Sequence, residues 1–407
     1  MNRIWRLTCC AAATACLGSI PVLASPPVAQ PLILHHSADA RFAQVEHEYV
    51  TYVLAQFPVV ATYLGGSAFD PSLAEVDGRL RDYSPAALQQ EDARLSEFRA
   101  RFGALPPANL SPRRRIDRSV ALAQISFLLH EHQVRRHQLR SLDSYVDEPF
   151  RGVDWQIQGM TATGPGSYGT DAEWQLVLAR TRAIPAYLAV AEQQLSAGVA
   201  AHAAPDWRVL RDFGLNSTAA DADYFAKTLP QLAAADLPAG RREELVRQLQ
   251  DAGNQAAAAY RHLRDFVAGT FFEDVRAEGA AGLRAPYRAD RFMFGAQEYD
   301  WALHNNLRVN TTAAELYASS WPVVQATRAQ MIGLARQISA GHKWPEQPTG
   351  EGTVRAVFEQ VQQNAPHTDA EMVEGYRKTG QRLVAYARAT GLFQVPADYR
   401  LDVTVTP

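Results

Sequence analysis

Ser84-Pro85 and Ser111-Pro112 each set a hydroxyl acceptor one residue ahead of a proline. This pairing starts a helix, because the side chain caps a free amide and proline at the first helical position loses no hydrogen bond. Such punctuation recurs along the whole chain. Asp39 precedes Phe42, Val45, Tyr49, Tyr52, Val53 and Phe57 on one helical face, and Pro58 marks the break. Leu88, Leu95, Phe98 and Phe102 follow Ser84-Pro85, and the helix after Ser111-Pro112 is predicted to run to about Leu142. Thr312 with Glu315 and Thr368 with Glu371 have capping-box spacing, and Gly391 fits the left-handed stop of the last helix. Pro185 and Pro322 predict kinks or short breaks inside helices, while Gly159 to Thr170 and Gly341 to Gly352 read as loops. No repeat appears at solenoid periods. The pattern predicts a mainly α protein, a large irregular array of long antiparallel helices with few short strands. One segment departs from it. Leu401, Val403 and Val405 alternate with Asp402, Thr404 and Thr406, the period of a half-buried strand, and the expectation is an unpaired C-terminal strand before Pro407.

A chain of 407 residues, 47% hydrophobic and 20% charged, can bury a substantial core. Arg3 and Arg6 followed by the apolar stretch Leu7 to Leu23 read as a secretory signal over residues 1–24, with cleavage after Val22-Leu23-Ala24. A flexible N-terminus over 25–38 and one helical region over 39–407 complete the expected organisation. All three cysteines, Cys9, Cys10 and Cys16, lie in the signal, so cleavage before Ser25 leaves no thiol and no disulfide. The expected location is periplasmic or secreted; the alternative is a lipoprotein acylated at Cys16 within Ala13-Thr14-Ala15-Cys16. No later stretch reaches the ~20 apolar residues of a transmembrane span. Loss of Arg3 and Arg6 takes the formal charge from −3 to −5, which disfavours nucleic acid as a partner.

Chemistry-bearing motifs are sparse. A zinc hydrolase helix needs His-Glu-x-x-His, which sets two imidazoles on one face with a general base beside them. His130-Glu131-His132 with His137 lacks that spacing, since Val134 and Arg136 occupy the i+4 positions. On a continuous helix His130 and His137 stand roughly 10 Å apart, and the cluster reads as a polar face shared with Arg135, Arg136 and Arg140. Glu46-His47-Glu48 diverges around its helix, and His35-His36 belongs to the flexible terminus. Gly164-Pro165-Gly166-Ser167-Tyr168-Gly169 satisfies Gly-x-Gly-x-x-Gly without the preceding strand that a dinucleotide site requires, and Asp171 is the expected cap of the helix behind it. There is no Gly-x-Ser-x-Gly elbow. No catalytic residue and no metal ligand is assigned. Arg113-Arg114-Arg115 reads as a solvated charge run, and Trp301, His304, Asn305 and Asn306 combine an aromatic face with hydrogen-bonding groups within two turns, suited either to lining a polar cleft or to capping a helix end.

Three stretches, Tyr299-Asp300-Trp301-Ala302-Leu303-His304-Asn305-Asn306-Leu307-Arg308-Val309-Asn310, Trp321-Pro322-Val323-Val324 and Thr390-Gly391-Leu392-Phe393-Gln394-Val395-Pro396, resemble the bacterial domain of unknown function 885 family. Arg115-Ile116-Asp117 also looks like a recurring element of it, with its Arg and Asp in structural contacts. Members of the family look like gluzincin-type metallopeptidases whose His-Glu zinc motif falls downstream of a segment similar to this C-terminus. The resemblance implies an exported helical scaffold that encloses a peptide-like or small-molecule substrate, lacks the C-terminal catalytic half and is inactive alone. Zinc is then expected in full-length relatives and no cofactor in this chain. A self-sufficient periplasmic binding or scaffolding module without catalysis is the alternative.

Overall fold

The computed structural model describes residues 32–160, 167–237 and 240–399 together with Val403, with the backbone alone for residues 32–36. The protein is mainly α-helical. Helix α1 (Leu32–Gln56) begins seven residues before Asp39, so His35 and His36 lie on helical backbone. It stops at Phe57, where Pro58 opens α2 (Pro58–Tyr63). Ser84 caps α3 (Pro85–Gly103) by accepting from the Ala87 N–H. Ser111 does not cap α4 (Pro112–Gln133) with its side chain; its N–H donates to Asp39 Oδ1 at 3.0 Å and ties that start to α1 instead.

Helix α4 ends at Gln133, nine residues short of the expected Leu142. Val134 and Arg135 close on the His130 carbonyl, and Arg136 then turns left-handed at φ 50°, a costly conformation outside glycine that starts a fresh turn, His137–Leu139. Next come α5 (Leu142–Gln158) and α6 (Asp171–Ala200). Thr170, not Asp171, is the cap of α6, in a full capping box with Glu173. Helix α6 runs unbroken through Pro185, and the later α12 through Pro322, so neither proline ends its helix.

A helical run then spans Trp207–Asp236 as α7 (Trp207–Arg211), α8 (Thr218–Asp223) and α9 (Leu229–Asp236), joined by π-helical stretches Asp212–Ser217 and Tyr224–Thr228. It wraps α10 (Arg242–Phe271), whose Gly253 lies so close to the Phe225 carbonyl that a Cβ there would sit 2.1 Å from the oxygen. The main core fills the space among α5, α6, this run and α10, with Trp174, Phe225, Tyr260 and Phe271 fully buried. A second core lies where α1, α3 and α4 meet, built on Phe42, Tyr49, Phe98 and Phe102.

Beyond it come α11 (Ala296–Asn305), α12 (Ala313–His342), α13 (Gly350–Gln362) and α14 (Asp369–Thr390). Thr312 and Glu315 form the expected box at α12. Thr368 caps α14, but Glu371 accepts from the His367 N–H rather than closing the box, and Gly391 takes the left-handed stop. Helix α11 docks on α4, and α12 packs on α13. Helix α14 buries no residue. Phe272 pairs with Leu283 in an isolated antiparallel bridge; the expected strand at 401–406 lies outside the described residues except for Val403, which is in no regular element.

Candidate functional site

The end of α4 gathers His130, Glu131, His132, Arg135 and His137, and helix geometry fans them apart. Residues two apart on a helix point roughly 200° from each other, so His130 and His132 serve different neighbours. His132 Nδ1 stands 2.8 Å from Asp92 Oδ1 on α3, while its Nε2 faces Arg81 at 3.4 Å. Since arginine only donates, this arrangement assigns Nε2 as acceptor and turns the Nδ1 proton toward Asp92.

His130 turns to α11. Its ring lies flat on Trp301, centroids 3.5 Å apart at 11°, and Nε2 reaches Glu298 Oε1 at 2.8 Å. Arg135 pairs with Glu131 at 2.5 Å, approaches Glu298 at 3.8 Å and stacks over Phe294 at 3.9 Å. His137 faces Glu131 at 3.8 Å; burial lowers its pKa, partly offset by Glu131 and Asp143, so the neutral ring is favoured. Arg140 beside it is also lowered, first by burial and then by repulsion from Arg135.

Under this surface lies a buried polar seam. Arg81 pairs with Glu91 at 2.9 Å, both side chains nearly sealed, and its guanidinium stacks on Phe57 at 3.7 Å. Its backbone N–H donates to Glu148, which also accepts from the Tyr187 hydroxyl at 3.0 Å. Burial raises the Glu148 pKa, and these donors only partly counter it. Arg81 Nε and Nη1 are buried without a hydrogen-bond partner among the described residues, the cost of holding a cation between aromatic faces.

Of the four residues singled out on α11, Trp301 alone joins the histidine cluster. His304 Nδ1 lies 3.0 Å from the Asp300 carbonyl, and Asn305 donates to the Trp301 carbonyl at 3.0 Å, so both turn back on their own helix; Asn306 ends it. Arg135, read from sequence as part of the same polar face, joins the site, while Glu298 and Phe294 complete it and no local spacing marked them. The three-arginine run proves largely tied down: Arg114 reaches Glu46 at 2.6 Å and Arg115 donates to the Leu110 carbonyl, both helping to lock α4 to its neighbours. Glu46, His47 and Glu48 go to three separate partners, Arg114, Asp70 and Arg101.

With a carboxylate on Nε2 and an indole against its face, His130 is set as a latch between α4 and α11 rather than an open proton-transfer centre. The stack predicts a coupling of about 0.5–1.5 kcal/mol between positions 130 and 301. A double-mutant cycle on His130→Ala and Trp301→Ala, read from denaturant midpoints, measures it; additive effects would remove the latch. Two grooves also open on the surface. One of about 370 Å³ lies between α6 and α10, where His262 faces Glu192 at 3.1 Å, and one of about 410 Å³ lies between α12 and α13.

Two solved structures share the fold. A candidate lipoprotein of unknown function from Shewanella oneidensis superposes at a TM-score of 0.57 with 16% identity, over 88% of this chain and 59% of its own. A candidate lipoprotein from Colwellia psychrerythraea does so at 0.58 with 12% identity, over 90% and 61%. The chain therefore spans about three fifths of the length of these structures. No curated protein matches it. Residues 58–407 match the sequence family described as bacterial protein of unknown function (DUF885). With that match covering most of its length, the chain belongs to the DUF885 family.

Proposed function

We propose that this chain is the exported, helical, substrate-enclosing scaffold of a hydrolase-like protein and is inactive by itself. The observation that carries the reading is the asymmetry of the superpositions: nearly all of this chain is accommodated within folds of which it supplies only about three fifths. A peptide-like or small-molecule substrate suits a cleft walled by helices and closed by a further portion.

The side chains present do not fit a catalytic zinc ion. Three protein ligands must converge at ~2 Å from one point, whereas His130, His132 and His137 each face a different carboxylate. Among the described residues no group of three or more His, Cys, Asp or Glu is placed to hold a metal. Purified chain dialysed against trace zinc is expected to retain no stoichiometric ion and to show no amide or ester turnover; one retained ion per chain with turnover would overturn the scaffold reading, and tight ligand binding without turnover would favour a self-sufficient binding module.

The description of both relatives as candidate lipoproteins favours acylation at Cys16 over cleavage before Ser25. No helix of the described residues is long and apolar enough to cross a membrane. Membrane fractionation of the exported protein is expected to find it lipid-anchored and Cys16→Ala to release it; a soluble mature chain starting at Ser25 would favour signal cleavage.

A further inference from the structure

Helices α11, α12 and α13 are held to one another in series. Helix α13 packs on α12, α12 on α11 and α11 on α4, and among the described residues neither α12 nor α13 packs on any element before α11 as extensively as α11 does on α4. That footing is built on the His130 ring against Trp301, the Glu298 carboxylate at His130 Nε2, and Arg135 beside Glu298 and over Phe294. It also holds a mismatch. Glu298 Oε1 lies 2.8 Å from His130 and 3.8 Å from Arg135 Nε, which is buried without a hydrogen-bond partner among the described residues. Two donors therefore compete for one carboxylate, and a small shift of α11 would trade one for the other.

The segment leading into α11 is fixed at one end and open at the other. Asp290 pairs with Arg208 at 2.9 Å, and the Arg291 N–H donates at 2.8 Å to Asp206, the cap of α7. Residues 292–295 then lie in no regular element and are exposed. Gly295 takes φ 86°, and a Cβ there would meet nothing within 4 Å beyond its chain neighbours, so the backbone bends in open space at a residue without side-chain restriction. We propose that α11–α13 are a hinged arm that pivots at residues 292–295, with the His130–Trp301 stack as the catch that holds the arm against α4. A few loop residues absorb the backbone change while the helices beyond them move as a unit. The arm keeps its own packing as it turns, with Ala335 and Ser339 buried on α12 and Thr353 and Val357 on α13. Release of the catch uncovers the His130 ring, whereas His132, turned to Asp92 on α3, stays covered.

Modification of the full chain with diethyl pyrocarbonate, mapped by peptide mass, reads the release. The side chains of His130 and His132 are 10% and 9% exposed and each meets a carboxylate at 2.8 Å, so an α11 fixed in place gives them similar rates. The hinge is expected to label His130 at least about tenfold faster than His132, since a catch opens at lower cost than the core beneath it. Trp301→Ala, which removes the catch, should raise the radius of gyration in solution X-ray scattering while leaving helicity and the slow His132 rate unchanged. Equal rates at the two histidines, or a scattering curve that Trp301→Ala does not alter, would overturn the hinge. His132 rising together with His130 would overturn it too, because that would mark unfolding of α4 rather than a swing of α11.

Discussion

Replacing Arg180 with methionine is expected to destabilise the protein by about 3–5 kcal/mol, since three hydrogen bonds from a buried cation, each worth about 1.5–3 kcal/mol, are lost together with the cost of having buried that cation. Arg180 is fully buried on α6, and each arm of its guanidinium is used: Nε donates to the Arg79 carbonyl at 3.0 Å, Nη1 to the Gly152 carbonyl at 2.6 Å and Nη2 to Thr62 Oγ1 at 2.9 Å. One side chain thus joins α6 to α5, to α2 and to the loop ahead of α3. Burial lowers its pKa to about 10, opposed by Asp77 and Glu148, and it remains charged at neutral pH. Methionine keeps the stem and strands two carbonyls in the interior. Arg180→Lys should recover only part of the loss, because an ammonium lacks the planar fork that reaches three divergent acceptors. Denaturant midpoints decide; equal stability of the wild type and the methionine variant would show that the network contributes no net stability.

The second large effect is pH-dependent. Asp221 on α8 is buried, and burial, then the Asp147 carboxylate, pushes its pKa up to about 7. A carboxyl raised in the folded state holds its proton more tightly there than in the unfolded chain. Folding is therefore unburdened at low pH and loses stability as pH climbs from about 4 to about 7. Asp221→Asn should stabilise the protein at pH 8 by up to roughly 4 kcal/mol, the linkage equivalent of a shift of this size, and should give no gain at pH 4. Melting curves at both pH values read it. A gain equal at the two would locate the effect in packing rather than ionisation.

These two residues show where sequence reading ends. The capping box at Thr312 was legible because its partners lie three residues apart, and the break at Pro58 because proline acts on its own backbone. Ser111 carried the same signal and serves otherwise, since Asp39, 72 residues away, takes its N–H. The apolar pattern continuing through Val134 and Leu139 masked the end of α4, because a left-handed arginine at 136 leaves no glycine to announce it. Trp301 stood out as an aromatic on an amphipathic turn, yet its partner His130 and the carboxylate of Glu298 meet across 168 positions. Arg180 and Asp221 look like ordinary charged residues on helices, and only the packing of α5, α6 and the 207–236 run seals them from water.

The central claim is that α6 and α10 belong to a sealed helical core while α14 stays outside it. Amide hydrogen exchange of the purified protein tests this most directly, since protection follows burial and local opening free energy. The account predicts slow exchange in α6 and α10, and exchange in α14 faster by orders of magnitude, because α14 buries none of its side chains. Protection of α14 in a monomer equal to that of α10 would contradict it.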